Sequence, residues 1–356
     1  MQTIHFHSTT LATRVKYLQV IFISLVLLYF GRTLFIPLLF GLLLAFITYP
    51  ICKWFEKKRW PRSLAITVVM FLIVILFSMV LMLLGYEVKI FLHDIPQITE
   101  KLRTYSPAIH NWLFDNIGIG SATQSDWLEK IILDMQNGLS GFLKSLFNTT
   151  VSTIFMLVMI PIYASLFLYH RGTFLKYLKS IVGASYKDRV TTILHQAVHT
   201  YFRFVRGTFF VYIIVGILNS AGLLALGIQH AILYGMLTAF MTIIPYIGIM
   251  ISASIPVVIA LITKDSLWYP LMVIIIFSIV QYLEANVIFP KIVGEQLNLS
   301  TWSTLVAIVA GTVLWGVAGM ILFIPLVAIL KIVSDQVEDL KSLNILLNRD
   351  QGYSGR

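Results

Sequence analysis

Charged residues are scarce. They make up 12% of the 356 residues, against 58% hydrophobic ones, and the mean hydropathy is +0.87. A soluble domain carries about twice that charged fraction. So little charge cannot cover a water-facing surface of this size, which excludes an ordinary soluble enzyme, a disordered chain and a nucleic-acid-binding domain. Cysteine is nearly absent too: Cys52 stands alone, so no intrachain disulfide can form. The sequence has no GxxxxGK[ST], HExxH, CxxC or GxSxG. ATP-driven pumping by this chain alone, zincin chemistry and α/β-hydrolase chemistry therefore lose their main support. No metal and no cofactor is expected. The ~10-residue alternating segments of a transmembrane β-barrel are missing as well.

Long apolar runs are present instead. A helix needs ~20 mostly apolar residues to cross ~30 Å of hydrocarbon. The runs 15–30 and 34–51 flank Gly31-Arg32-Thr33 and read as a helical hairpin with a marginal first arm. Residues 64–85, 151–169, 207–226 and 267–289 read as spans. The runs 231–262 and 300–333 are overlong, and each would reach roughly 50 Å as one straight helix. Pro245, Gly248 and Pro256 interrupt the first, and Gly311, Gly316 and Gly319 the second. Both are expected to be broken helices or re-entrant hairpins, since irregular backbone at membrane depth survives only when buried in protein or lining a wet cavity. The expected fold is all-α: a polytopic helical membrane protein with about eight transmembrane helices, or ten if both long runs turn back.

Five regions follow: an N-terminal membrane region (1–88), an extracytoplasmic helical insert (89–150), a fourth span with a basic amphipathic helix (151–206), a C-terminal membrane core (207–333) and a tail (334–356). In the insert, Asp126 and Glu129 have the spacing of a helix start, followed by apolar residues at helical intervals from Leu128 to Leu146. In the basic segment, Val190, Leu194, Ala197 and Val198 share a face opposite Arg189, His195, His199 and Arg203. Such a helix can lie in the membrane interface.

Most of the net charge of +10 is a topology signal. Lys53, Lys57, Lys58, Arg59 and Arg62 crowd one short loop, and a second basic cluster runs from Arg171 to Arg206. The insert carries more acidic than basic residues. By the excess of Lys and Arg in cytoplasmic loops, both basic segments and both termini are expected in the cytoplasm, with the insert outside. The N-terminus reads as retained rather than as a cleaved signal peptide, because no small-residue cleavage site follows its first apolar run.

Glu284 is the most informative residue. It lies within the run 267–289, close to Gln281 and Asn286. A carboxylate at membrane depth usually faces a cavity or a partner, which makes it a candidate proton, cation or substrate site. It could equally be a neutral structural acid, lie near the membrane surface, or pair with Lys291 seven residues on, on roughly the same helix face. The stretch Ile243 to Gly248, including Pro245 and Tyr246, could expose backbone ligands at a hinge, or be a proline kink satisfied by neighbouring helices. Asn219 and Ser220 suit interhelical hydrogen bonds, with pore lining as the minority reading. His195 and His199 have the spacing of a metal pair but lack a third ligand nearby, so a solvated or headgroup-facing surface is the preferred reading.

The stretch QYLEANVIFPKIVG, with Gln281, Glu284, Asn286, Pro290, Lys291 and Gly294, resembles a motif of the autoinducer-2 exporter (AI-2E) family of bacterial inner-membrane proteins. Pro245 to Gly248 resembles a second family motif. Gly311, Gly316, Gly319 and Pro325 resemble its glycine-rich C-terminal segment, and Arg206-Gly207 the start of a span. The layout is also similar: three spans, a helical insert, then a larger membrane core. The chain departs from the family pattern at Thr208, where the family often has Gln, and at His170-Arg171-Gly172, where an acidic residue is usual. The resemblance implies a transporter in the bacterial inner membrane, since some members are described as autoinducer-2 exporters and others as sodium or proton antiporters.

Three functions remain open at this point. The first is ion-gradient-coupled export of a small solute, with Glu284 as the protonatable or cation-binding group and Gln281, Asn286, Asn219 and the Pro245–Gly248 stretch around the substrate. The second is a sodium (or potassium)/proton antiporter. The third is a non-transporting scaffold or regulatory membrane protein. An enzyme is not expected, because no nucleophile–base or metal constellation occurs. The expected partners are a small-molecule or ion substrate, the lipid bilayer and further copies of the chain in a homo-oligomer, with no nucleic acid.

Overall fold

The computed structural model describes residues 11–80, 82–83, 85–86, 100, 150–243, 247–264, 266–294 and 296–349. Most of the expected insert, including the helix read from Asp126, lies outside the described residues. Among those described the architecture is all-α, with a single isolated bridge between Leu299 and Asn348. The protein is a multi-pass helical membrane protein.

The N-terminal unit is built on α2 (Arg32–Lys57), α3 (Arg62–Val80) and α4 (Thr150–Tyr169). Their shared core is Ala45 and Cys52 of α2, Ile66, Val69 and Met70 of α3, and Ala164 and Leu168 of α4. Gly41 sets the α2–α4 distance: a Cβ there would lie 2.6 Å from Cβ of Tyr163. The α2–α3 turn passes through Arg59 in the left-handed region (φ 67°), with Trp60 folded back on Phe55 at 5.0 Å.

Ahead of this unit, α1 (Leu11–Phe30) meets α2 only next to Gly31, through Leu28 and the stacking of Arg32 on Tyr29. The expected hairpin is not formed. Gly31 has near-helical angles (φ −81°, ψ 9°), and Leu28 is the one side chain of α1, among those described, that is not exposed. An arm folded along α2 would bury a stripe of its own residues. Instead α1 projects, with Phe22, Ile23 and Phe30 more than 60% exposed. It is held to the body where Trp315 donates its Nε1–H to the Leu28 carbonyl (3.0 Å).

After α4 the chain bends by 70° into α5 (Arg171–Ile181) and then enters α6 (Lys187–Ala225). At 39 residues, α6 is about 58 Å long, so it both spans and projects. It packs against α7 (Ala231–Met241) through small residues, as membrane helices without a hydrophobic drive do. A Cβ on Gly235 would collide with the backbone of Ser220, and one on Gly216 would lie 2.6 Å from the Met236 sulfur. The expected reversal of the run 231–262 occurs between α7 and α8 (Ile247–Thr263). Ala231 and Tyr234 at its start share a core with Ile259 and Ala260 at its end. A straight helix would hold those ends roughly 40 Å apart.

The second long run behaves in the same way. α10 (Thr301–Gln336) breaks at Trp315 (φ −133°, ψ 15°) and Gly316 (φ 61°, ψ −139°). The arms on either side fold together so closely that a Cβ on Gly319 would collide with the Gly311 carbonyl. Both ends of this hairpin are tied down at one end of the bundle. Ser300 and Ser303 donate to the Leu346 carbonyl (both 2.8 Å), just before the end of α11 (Lys341–Leu347), and Arg189 donates to the Gln336 carbonyl (2.6 Å). The second arm packs on α2, where Leu322 joins Ile36 and Leu43.

Among the described residues, five helices are long and apolar enough to cross a membrane, or six if the bent α4–α5 pair is one span. The described helices thus supply fewer than the eight expected, partly because α7 and α8 are each short and α10 is two arms counted as one.

Candidate functional site

The candidate site lies along the contact between α6 and α9. The latter runs as an α-helix from Trp268 to Leu283, passes through a π-turn at Glu284–Ile288 and ends as helix at Phe289–Ile292. Two glycines fix the register. A Cβ on Gly207 would lie 3.3 Å from the Ile292 carbonyl and from Val293, while one on Gly222 would collide with Ile276. The helices are therefore antiparallel, and Glu284 falls opposite residues 212–215 of α6. From 207 to 222 is 15 residues, whereas from 276 to 292 is 16. The additional residue on α9 is what a π-turn takes up.

Glu284 is 5% exposed, and its Oε2 has no hydrogen-bond partner among the described residues. On the same helix contact, Val211, Val215, Val280 and Val293 form a buried cluster, with Tyr212 and Ile288 packed against it. Tyr212 is within electrostatic reach of the Glu284 carboxylate. Three further buried oxygens on these two helices also lack a partner among the described residues: Gln281 Oε1, Asn219 Oδ1 and Thr208 Oγ1. A buried polar atom without a partner costs roughly 1–3 kcal/mol. Four along one helix contact mark a stretch where a proton, a cation or a donor-bearing solute would be favoured.

Other expected members stand elsewhere. Lys291 is exposed and does not pair with Glu284. The spacing of seven residues would align them in a regular helix, but the π-turn rotates everything after it by about 100°. Asn286 is also exposed, and its amide donates to the Tyr282 carbonyl on the same helix (2.9 Å). Pro245 and Tyr246 lie outside the described residues. Gly248 is buried, and its carbonyl accepts from the Ser252 hydroxyl (2.8 Å).

The motif glycines are structural. Gly207 admits α9, Gly311 and Gly319 close the hairpin of α10, Gly316 turns it, and Pro325 is buried in its second arm. Gly294 ends α9 at φ 60°, its N–H donating to the Phe289 carbonyl (3.2 Å), as helix C-termini commonly do. Pro290 and Arg206 are exposed. Sequence reasoning missed Tyr212 and gave Thr208 no role; both stand within five residues of Gly207, so the glycine contact was the usable signal. Among the described residues, no three His, Cys, Asp or Glu side chains gather to hold a metal.

With this geometry in place, comparison with known proteins gives a consistent result. The family model for AI-2E family transporters matches residues 18–339. YueF of Bacillus subtilis is 25% identical over 313 residues, covering 85% of this chain and 84% of its own. The AI-2 transport protein TqsA of Escherichia coli is 24% identical over 326 residues, covering 90% of each chain. YhhT of Escherichia coli is 23% identical over 322 residues, covering 88% of this chain and 87% of its own.

Proposed function

The chain belongs to the AI-2E transporter family, and from that premise we propose that it exports a small solute at the expense of an ion gradient, with Glu284 as the group that takes up and releases the coupling proton or cation. The observation that carries this reading is the buried, unpartnered carboxylate oxygen of Glu284 on a π-turn. Irregular turns in helices concentrate at functional sites, and an ionisable group at membrane depth defaults to a transport role. Gln281, Asn219, Thr208 and Tyr212 line the same helix contact and orient the carboxyl or meet the solute. The stretch joining α7 to α8, with Gly248 in the first turn of α8 and Pro245 and Tyr246 just ahead of it in sequence, is the hinge of this reading. A signalling molecule of the kind in the name of TqsA is the first cargo to test.

We place the protein in the bacterial inner membrane with both termini cytoplasmic. The two basic segments support this, because they meet at one end of the bundle through the Glu56–Arg171 ion pair (2.6 Å) and the donation of Arg62 to the Leu168 carbonyl. A second reading, cation/proton exchange with no organic cargo, is favoured by the chemistry of the orphaned atoms. All four are oxygens, which suits a cation as well as a solute.

In proteoliposomes, Glu284→Gln is expected to abolish gradient-driven transport while the protein stays folded and inserted. Unchanged flux would overturn the assignment. Proton movement triggered by sodium or potassium alone, with no solute present, would select the exchange reading.

A further inference from the structure

A cavity apart from Glu284 lies where the N-terminal unit meets α6 and α10. Its volume is about 1310 Å³, above the ~300–1,000 Å³ of ordinary small-molecule pockets. The walls come from the last turns of α2, the α4–α5 elbow, the first half of α6 and the second arm of α10. They are mostly apolar and aromatic, with Phe46, Phe174, Leu194, Val198, Phe202 and Leu326 among them. The polar lining is of one sign. Lys53, Lys57, Arg171, Arg203 and Arg206 line the cavity together with His195 and His199, and no Asp or Glu does. Glu56, just outside, engages one nitrogen of Arg171, and the other terminal nitrogen of Arg171 is buried with no partner among the described residues.

We propose that this cavity binds an anionic phospholipid, its phosphate among the Lys53, Lys57, Arg171 and Arg203 side chains and its acyl chains along the α6 and α10 walls. Three observations support that occupant. Apolar walls with a cationic lining match a molecule that is apolar at one end and anionic at the other, and basic pockets at the ends of membrane helices recognise lipid headgroups for this reason. The volume suits a lipid better than a compact solute. The flanking α5 carries exposed Tyr177 and Ile181 beside Lys176 and Lys179, the composition of a helix lying in the headgroup region. The lipid would join the N-terminal unit to the transport core. The pair His195 and His199 then faces a headgroup, with no metal involved.

The test uses the intact protein in a neutral detergent, with phosphatidylglycerol and phosphatidylcholine of equal chain length as probes and native mass spectrometry as the readout. Phosphatidylglycerol is expected to bind selectively. In Lys53→Gln/Lys57→Gln/Arg203→Gln its affinity is expected to fall on the order of a hundredfold, from about fivefold per basic residue, with phosphatidylcholine unchanged. Val198→Trp, which fills the cavity without touching its charge, should weaken both lipids, and serves alone if the triple variant does not fold. A photoactivatable phosphatidylglycerol should label residues 171–206. Equal binding of the two lipids, unchanged phosphatidylglycerol affinity in the variants, labelling elsewhere only, or the cavity filled by a segment of a second copy would each overturn the proposal.

Discussion

At the scale of single residues, the contrast between Glu284 and Lys291 is the most instructive. Both sit in one motif, and regular helical spacing would make them partners, yet the π-turn buries the acid and leaves the base exposed. The carboxyl group thus remains at a cost that apolar replacement would remove. Glu284→Leu is expected to raise thermal stability in detergent by about 1–3 kcal/mol, because a lone carboxyl at membrane depth is disfavoured by that order. Transport should be lost in the same variant, the exchange of stability for function common at active sites. A fall in melting temperature would instead mark Glu284 as a structural, hydrogen-bonded acid and would weigh against its role in coupling. The identity of this residue was legible in the sequence because charge is so scarce at membrane depth. Its environment was not, since a π-turn leaves no residue signature and the stretch of α6 that faces Glu284 is set only by the register of a second helix.

At the scale of elements, the α10 hairpin rests on two glycines that act for different reasons. Gly316 has open space around it but adopts φ 61° and ψ −139°, a region nearly closed to side chains. Gly319 has helical angles but no room, because Gly311 is against it. Gly316→Ala should therefore cost about 1–3 kcal/mol through backbone strain, and Gly319→Ala a similar amount through overpacking. Gly172→Ala in α5, with open space and helical angles, should be neutral or stabilising by up to ~1 kcal/mol. Thermal unfolding of the three variants side by side checks this, and equal behaviour of Gly316 and Gly172 would mean that the break does not need glycine. That both long runs are interrupted was legible, because runs of 32 and 34 residues exceed what a bilayer can hold straight, but length alone did not separate a bend from a reversal. The α1–α2 junction was misread for the converse reason. Gly31-Arg32-Thr33 looks like a turn, but Arg32 and Thr33 belong to α2 and Gly31 keeps near-helical angles, so the chain does not reverse there. The cavity was legible only as two amphipathic faces, since the α2 and α10 walls that complete it are distant in sequence.

At the scale of the whole molecule, the projecting α1 is the feature that one chain leaves unexplained. Membrane helices associate by close packing and shared polar contacts rather than by escape from water. α1 makes almost no such packing with its own chain, although the Trp315 hydrogen bond holds its end firmly against the α10 hairpin. Asn286 adds a second feature, a polar side chain on the outer face of α9 whose amide is held only by its own helix, donating to the Tyr282 carbonyl. Together they fit a homo-oligomer in which α1 lies against a neighbouring copy and the exposed Asn286 side chain falls at the interface. The one native thiol, Cys52, is fully buried and therefore silent to oxidants at the surface. Ile23→Cys, placed on the exposed flank of α1, should form disulfide-linked dimers in native membranes under mild oxidation. If Ile23→Cys and its neighbours Phe22→Cys and Val26→Cys all remain monomeric, α1 faces lipid alone. In that event the basis for self-association moves to α9, where Asn286→Leu should then shift the oligomer distribution.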